Sequence, residues 1–147
     1  MNKKETIACI KKICSSQKTG VLSTQETNNP YASLVVFVVS ADLKQMLFVT
    51  NKYTRKYRNI TSRKGVSILI DNRPDTKSDL KKTVVIAAVG TARDIPKDLK
   101  NPLLRAYFRR HRDLRVFMKD RACSAMCVDV KQYYIVTDFQ NVTEYKP

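Results

Sequence analysis

Two uninterrupted apolar runs, at residues 34–39 (LVVFVV) and 84–89 (VVIAAV), most constrain what this chain can fold into. Their β-branched side chains favour extended backbone. A strand with one wet face alternates apolar and polar residues, and neither run does so. Both runs therefore read as strands covered on two sides. Further strands fall at 20–24, 31–39, 45–50, 66–71, 83–93, 122–130 and 133–137, several of them separated by turn residues. Residues 4–16 place Ile7, Ile10, Ile13 and Cys14 on one helical face with lysines opposite, and further helices are expected at about 54–62 and 97–119. Six or more short strands with helices outside fit a closed antiparallel barrel, mainly β in an α+β chain.

The segment TNKYTRKYRN, Thr50 to Asn59, follows the apolar run Met46-Leu47-Phe48-Val49. The run reads as a strand ending in Thr50, and Thr54 as the N-cap of a short helix continuing through Tyr57 and Ile60. The start of such a helix presents unpaired amides and the positive end of its dipole to an anion. The hydroxyls of Thr50 and Thr54 can donate to phosphate oxygens. Arg55 and Lys56 place a guanidinium fork and a compact ammonium on the first turn. Without a ligand those two cations oppose the helix dipole. Local chemistry leaves two readings open, a phosphate clamp and a solvated basic turn.

A formal net charge of +15 on 147 residues leaves much of the surface positive, attractive to phosphorylated ligands, nucleic acid or acidic membrane. A nucleic-acid reader interleaves exposed aromatics with basic residues, and only residues 53–58 and 107–110 come near that pattern. Tyr107, Phe108, His111 and Leu114 sit at helical spacing, which reads as one buried face with arginines opposite. Cys9 and Cys14, then Cys123 and Cys127, match neither a zinc ribbon nor a Cys-x-x-Cys redox pair, so no metal is expected. Free thiols suit a reducing compartment. No run approaches the ~20 apolar residues of a membrane span, and the N-terminus lacks the apolar core of a signal peptide, so a cytoplasmic protein of one domain over 1–147 is expected. The polar stretch 73–82 reads as a long loop.

The order of these features resembles the pyridoxamine 5'-phosphate oxidase-like, FMN-binding split-barrel family. The similarity runs from the strand at 30–39, through the turn Asp42-Leu43-Lys44-Gln45 and the strand 46–50, to Thr54-Arg55-Lys56, Asn59 and the strand 66–71. It continues to the strand 83–91, which carries Val89-Gly90-Thr91-Ala92. Beyond about residue 95 it is looser. There, residues 103–119, 123–130 and a final strand near 135–145 are similar to the family's haem-associated branches. The resemblance implies a split barrel of about six antiparallel strands with flanking helices, and a homodimer with FMN at the interface. It implies phosphate contacts from Thr54, Arg55 and Lys56, with Thr50 close by, and an isoalloxazine edge along the backbone of Leu34, Val35 and Val36. The oxidase proper has an Arg where this chain has Leu34, a Lys at Val39 and a Gln at Val85, and a C-terminal Arg-bearing signature where this chain reads Glu144-Tyr145-Lys146-Pro147. Those departures argue against vitamin B6 oxidation itself.

The resemblance thus implies an FMN-dependent oxidoreductase acting on a small-molecule substrate that the residues do not identify. Two alternatives stand beside it. One is a haem-binding relative, which needs an axial His, Cys, Met or Tyr, with His111 the single histidine. The other is a non-catalytic module that binds flavin or nucleic acid.

Overall fold

The computed structural model describes residues 1–73 and 80–147. The expected loop at 73–82 falls largely on residues 74–79, outside the described residues; it gives way to a 3-10 turn at Leu80–Lys82. The elements run α1 (Lys3–Ser16), β1 (Thr19–Glu26), β2 (Asn29–Val39), β3 (Gln45–Asn51), α2 (Arg55–Ser62), β4 (Gly65–Asp71), β5 (Val85–Ile95), α3 (Pro102–Arg110), β6 (Cys123–Thr137) and β7 (Asn141–Tyr145). All strand pairings are antiparallel. The sheet order is β3-β2-β1-β4-β5-β6-β7, and pairing of β3 with β6 closes the first six strands into a barrel. Strand β7 hangs on the far half of β6.

Alternation places one side of each strand inside the barrel. Leu22, Phe37, Phe48, Ile68, Ile86, Met126 and Tyr133 meet there with Ile10, Ile13 and Cys14 of α1, all in one core cluster. Helix α1 is held at its start by a capping box, in which Asn2 and Glu5 each accept the other's amide. At its C-terminal end it has no basic residue of its own. Arg110 of α3 fills that role, donating to the carbonyls of Cys14 (3.0 Å), Ser15 (2.9 Å) and Gln17 (2.6 Å). A second cluster lies outside the barrel wall, where Leu103, Leu104, Tyr107 and Phe108 of α3 cover Val38, Leu47 and Ala125. Strand β2 is thus covered on both sides along its C-terminal half, as its unbroken apolar run required. The run at 84–89 differs: its inward side chains Ile86 and Ala88 are buried, but outward Val89 remains 37% exposed.

Three other elements depart from the expectations. Strand β6 is one piece of 15 residues where two strands were expected, because the polar pair Lys131-Gln132 marks a bulge rather than a break. The register against β5 slips between Val89 and Gly90, so that Val89 faces Gln132 while Gly90 faces Val130. At the slip the backbones close so tightly that a Cβ on Gly90 would lie 2.1 Å from the Asp129 carbonyl oxygen. The helix expected at 97–119 is also divided. Asn101 caps the amides of Leu103 and Leu104 and Pro102 opens α3, so the helix cannot begin earlier. It stops at His111, whose backbone leaves the helical region, and 3-10 turns continue from Arg112 to Met118. Finally, the strand expected near 135–145 is broken by Asp138 and Phe139, both at positive φ, which turn β6 into β7.

The His111 ring explains the break. It is buried, and its Nε2 lies 2.9 Å from the carbonyl of Phe37 on β2, so the neutral ring donates there and ties α3 to the barrel. Burial, foremost, pushes its pKa below the ordinary value, with neighbouring Arg110 and Lys18 acting in the same direction and the Phe37 bond opposing.

Two predictions follow from this packing. Gly90→Ala should destabilise the fold by about 3 kcal/mol or more, because backbone rather than a pliable side chain blocks the new methyl; urea unfolding measures it. As pH falls, the unfolded chain protonates His111 before the folded one does. Its contribution is therefore complete above the ordinary imidazole pKa of about 6.5 and declines below it. Urea midpoints between pH 7.5 and 5 should fall less steeply in His111→Gln than in the parent, whereas equal slopes would remove this role.

Candidate functional site

Strand β2 pairs with β1 over eight residues, from Glu26↔Asn29 to Thr19↔Val36. With β3 it pairs over only three, Phe37↔Phe48, Val38↔Leu47 and Val39↔Met46. From Val36 back to Asn29 the two strands have parted, while β3 continues against β6 as far as Asn51. This parting is the split in the barrel. The Phe37 amide donates to the Lys18 carbonyl on the β1 side, so by alternation the backbone groups of Leu34 and Val36 point into the opening. An opened strand edge offers donors and acceptors to any planar ligand laid along it.

Helix α2 begins across this opening. Thr54 is its N-cap, in extended conformation, and its hydroxyl accepts from the Tyr57 amide at 3.4 Å. The same hydroxyl donates to the Asn51 carbonyl (2.8 Å) and lies 3.2 Å from the hydroxyl of buried Thr50. The Thr50–Thr54 pair fixes where the helix starts relative to the end of β3. The amides of Arg55 and Lys56 lead the first turn, where no intrahelical acceptor exists for them. That turn contains no acidic residue. Deeper in the helix, Asn59 is buried and donates to Thr24 of β1 at 3.0 Å, while the Tyr57 hydroxyl donates to Asp94 of β5 at 2.8 Å. These two bonds orient α2 against the barrel wall.

Lys56 crosses the opening. Its Nζ donates to the Leu34 carbonyl at 3.2 Å, and burial of the side chain lowers its pKa from the ordinary lysine value. Arg55 turns toward the β1–β2 hairpin, 3.6 Å from Glu26 and with its guanidinium 5.3 Å from the centre of the Tyr31 ring. Both partners of that ion pair are about half exposed, so the pair contributes little and yields readily to a stronger anion.

The structure therefore gathers Thr50, Thr54, Lys56 and Leu34 around one opening, with Arg55 at its rim. Val36 sits on the opened edge and packs partly against the second core cluster. Val35 faces away: its side chain is buried inside the barrel and its backbone lies in the ladder opposite Gly20. Sequence reading missed Lys56 as the link to β2, and missed Asn59 and Tyr57 as the bonds that aim the helix. The polar Asn59 in an otherwise buried position of α2 was the available signal. Among the described residues no three His, Cys, Asp or Glu side chains gather to hold a metal ion, and no helix is long and apolar enough to cross a membrane.

Comparison with known proteins bears on this opening through the fold that creates it. The family model of pyridoxamine 5'-phosphate oxidase matches residues 7–137. A search of curated proteins gives no match. Among solved structures, the chain is similar to a heme binding protein from Mycobacterium smegmatis, with 19% identity and a TM-score of 0.77 over 91% of this chain. It spans 55% of that protein, about half its length. General Stress Protein 26 from Bacillus anthracis matches at 17% identity and TM-score 0.70, over 97% of this chain and 99% of its own. A FAD-binding protein from Mesorhizobium loti matches at 13% identity and TM-score 0.67, over 88% and 90%. At such identities these structures share the fold.

Proposed function

The chain belongs to the pyridoxamine 5'-phosphate oxidase family, and from that premise we propose that it binds FMN in the opening between β2 and β3 and serves as an FMN-dependent oxidoreductase. The observation that carries this reading is the meeting of an opened strand edge with a cationic helix start. The amides of Arg55 and Lys56 together with their two cationic side chains form a donor set for a phosphate dianion. The Thr54 hydroxyl, expected from the sequence to donate as well, already gives its hydrogen to the Asn51 carbonyl and so acts by fixing the helix start. The backbone of Leu34 and Val36 is the donor and acceptor set for the polar edge of a flavin ring.

This chain's residues divide the work. Thr50 and Thr54 fix the helix start, and Lys56 neutralises charge while remaining within reach of the strand edge. Arg55 would exchange its weak contact with Glu26 for a charge-assisted bond to phosphate. When bound, FMN supplies an isoalloxazine able to accept and pass on hydride or electrons. The substrate is a small molecule of a kind these residues do not specify.

A homodimer belongs to the same proposal. Leu34, Val21, Leu69, Ala87 and Tyr134 are successive lateral partners across five strands, and all turn outward. In the single chain Leu34 is 64% exposed and Leu69 38%. An apolar row of this kind suits a second copy, and because Leu34 also borders the opening, the partner would help close the flavin site. Four free thiols, three of them buried, suit the cytoplasm.

Haem is the second reading, prompted by the heme binding protein of similar fold. The buried His111 bonded to Phe37 weighs against it, since ligation would require that ring to leave the core. A nucleic-acid module finds less support, because the exposed Tyr53 is not joined by a second exposed aromatic on α2.

An absorbance spectrum from about 350 to 700 nm, followed by FMN titration, separates flavin from haem. Arg55→Ala with Lys56→Ala should weaken FMN by about 3 kcal/mol in total, because charge-assisted contacts contribute ~1.5–3 kcal/mol each and both side chains are partly solvated. Unchanged affinity in the double variant would remove the phosphate assignment.

A further inference from the structure

On another part of the surface, α3 and the 3-10 segment that follows it enclose a groove of about 510 Å³ that shares no residue with the opening at β2 and β3. Its volume lies within the range of small-molecule sites. Phe108 and Met118 form the floor, and Leu99 and Val116 the walls. Phe108 is buried beneath it, yet Val116 is 71% exposed and Leu99 49%. The groove exists because the segment after His111 is wound as 3-10 turns; a continued α-helix would carry these side chains elsewhere.

Side chains bonded to backbone hold the walls in place. Arg105 donates to the carbonyls of Leu99 (2.7 Å) and Lys100 (3.1 Å), fastening the loop before α3. Arg115 donates to the Phe108 carbonyl at 3.3 Å. Lys97 donates to the carbonyls of Phe117 (3.0 Å) and Asp120, pinning the far end of the 3-10 segment. The concavity is therefore built by the chain's own bonds.

The rim carries Arg105, Arg109, Arg115 and Lys119, and no carboxylate lines the groove. Nearby Asp98 and Asp120 are engaged with the amides of Lys100 and Ala122. Among the described residues the side chains of Arg109 and Lys119 make no hydrogen bond or ion pair with another group. An apolar trough edged by unpaired cations is matched by a ligand with a hydrocarbon body and an anionic head. A neutral hydrocarbon leaves the cations unanswered, and a small anion leaves the trough wet.

We propose that this groove is a binding site for a single long-chain carboxylate, its chain against Phe108, Val116 and Met118 and its head group on Arg109 and Lys119. The site does not depend on flavin, and its test has no flavin readout. Isothermal titration with octanoate, decanoate and dodecanoate below their micelle concentrations should show one saturable site, tightening about fourfold per added methylene. Dodecyltrimethylammonium, with the same chain and the opposite charge, should bind at least tenfold more weakly. Arg109→Glu with Lys119→Glu should weaken dodecanoate at least tenfold with an unchanged circular dichroism spectrum, as both side chains are exposed. Val116→Asp, at a position already facing water, should do the same by placing charge in the trough. The proposal is overturned if no saturable binding occurs, if the cationic surfactant binds as tightly as dodecanoate, or if the charge-reversed variant retains parental affinity.

Discussion

The rest of this structure depends on the point at which β2 leaves β3. After Phe37↔Phe48 the ladder ends, and each strand continues with a different neighbour. Backbone groups freed in the interior of a protein would be costly. Here they border an opening, and the one at Leu34 is met by the Lys56 ammonium. The barrel remains closed because β3 and β6 pair over seven residues on the other side. Closure and opening are thus properties of the same strand, and helix α2 is positioned by the need to return the chain from the end of β3 across to β4.

Much of this was legible in the residues. Thr54 declared itself as an N-cap because a hydroxyl before a polar-apolar helical pattern has few other uses, and the helix it starts is observed. The strands at 31–39 and 45–50 were visible from their β-branched and aromatic content and appear within two residues of the expected bounds. The family resemblance anticipated the closed six-stranded barrel, which composition alone would have left as one of several β architectures. What escaped were features set by tertiary contact. The bulge at Gly90 depends on which strand lies opposite, so Lys131-Gln132 looked like a break in β6. The helix at 97–119 kept its periodicity through His111, and only the bond from that ring to Phe37 shows why it ends there.

The candidate site was legible in type more than in geometry. Thr50, Thr54, Arg55 and Lys56 stood out as candidates because hydroxyls and cations at a helix start suit an anion, but that local chemistry left a solvated basic turn equally open, and the preference for phosphate came from the family resemblance. That Lys56 reaches β2 while Arg55 turns to Glu26 and Tyr31 follows from the packing of α2 on the barrel, through Asn59 and Tyr57. The orientation of Val35 into the core follows from strand register, since a shift of one residue exchanges the inner and outer faces. Likewise the outward row from Leu34 to Tyr134 could not be read from separate strands, and it becomes visible only when their lateral partners are known.

The central claim is that the first turn of α2 grips the phosphate of a flavin whose ring lies along the opened edge of β2. Comparing FMN with riboflavin, which has the same ring and no phosphate, tests it most directly. Titrations followed by flavin fluorescence at low salt should show FMN bound at least a hundredfold more tightly than riboflavin in the parent, and this preference should largely vanish in Arg55→Ala with Lys56→Ala. Equal affinities for the two flavins in the parent, or a preference untouched by the double substitution, would contradict the account.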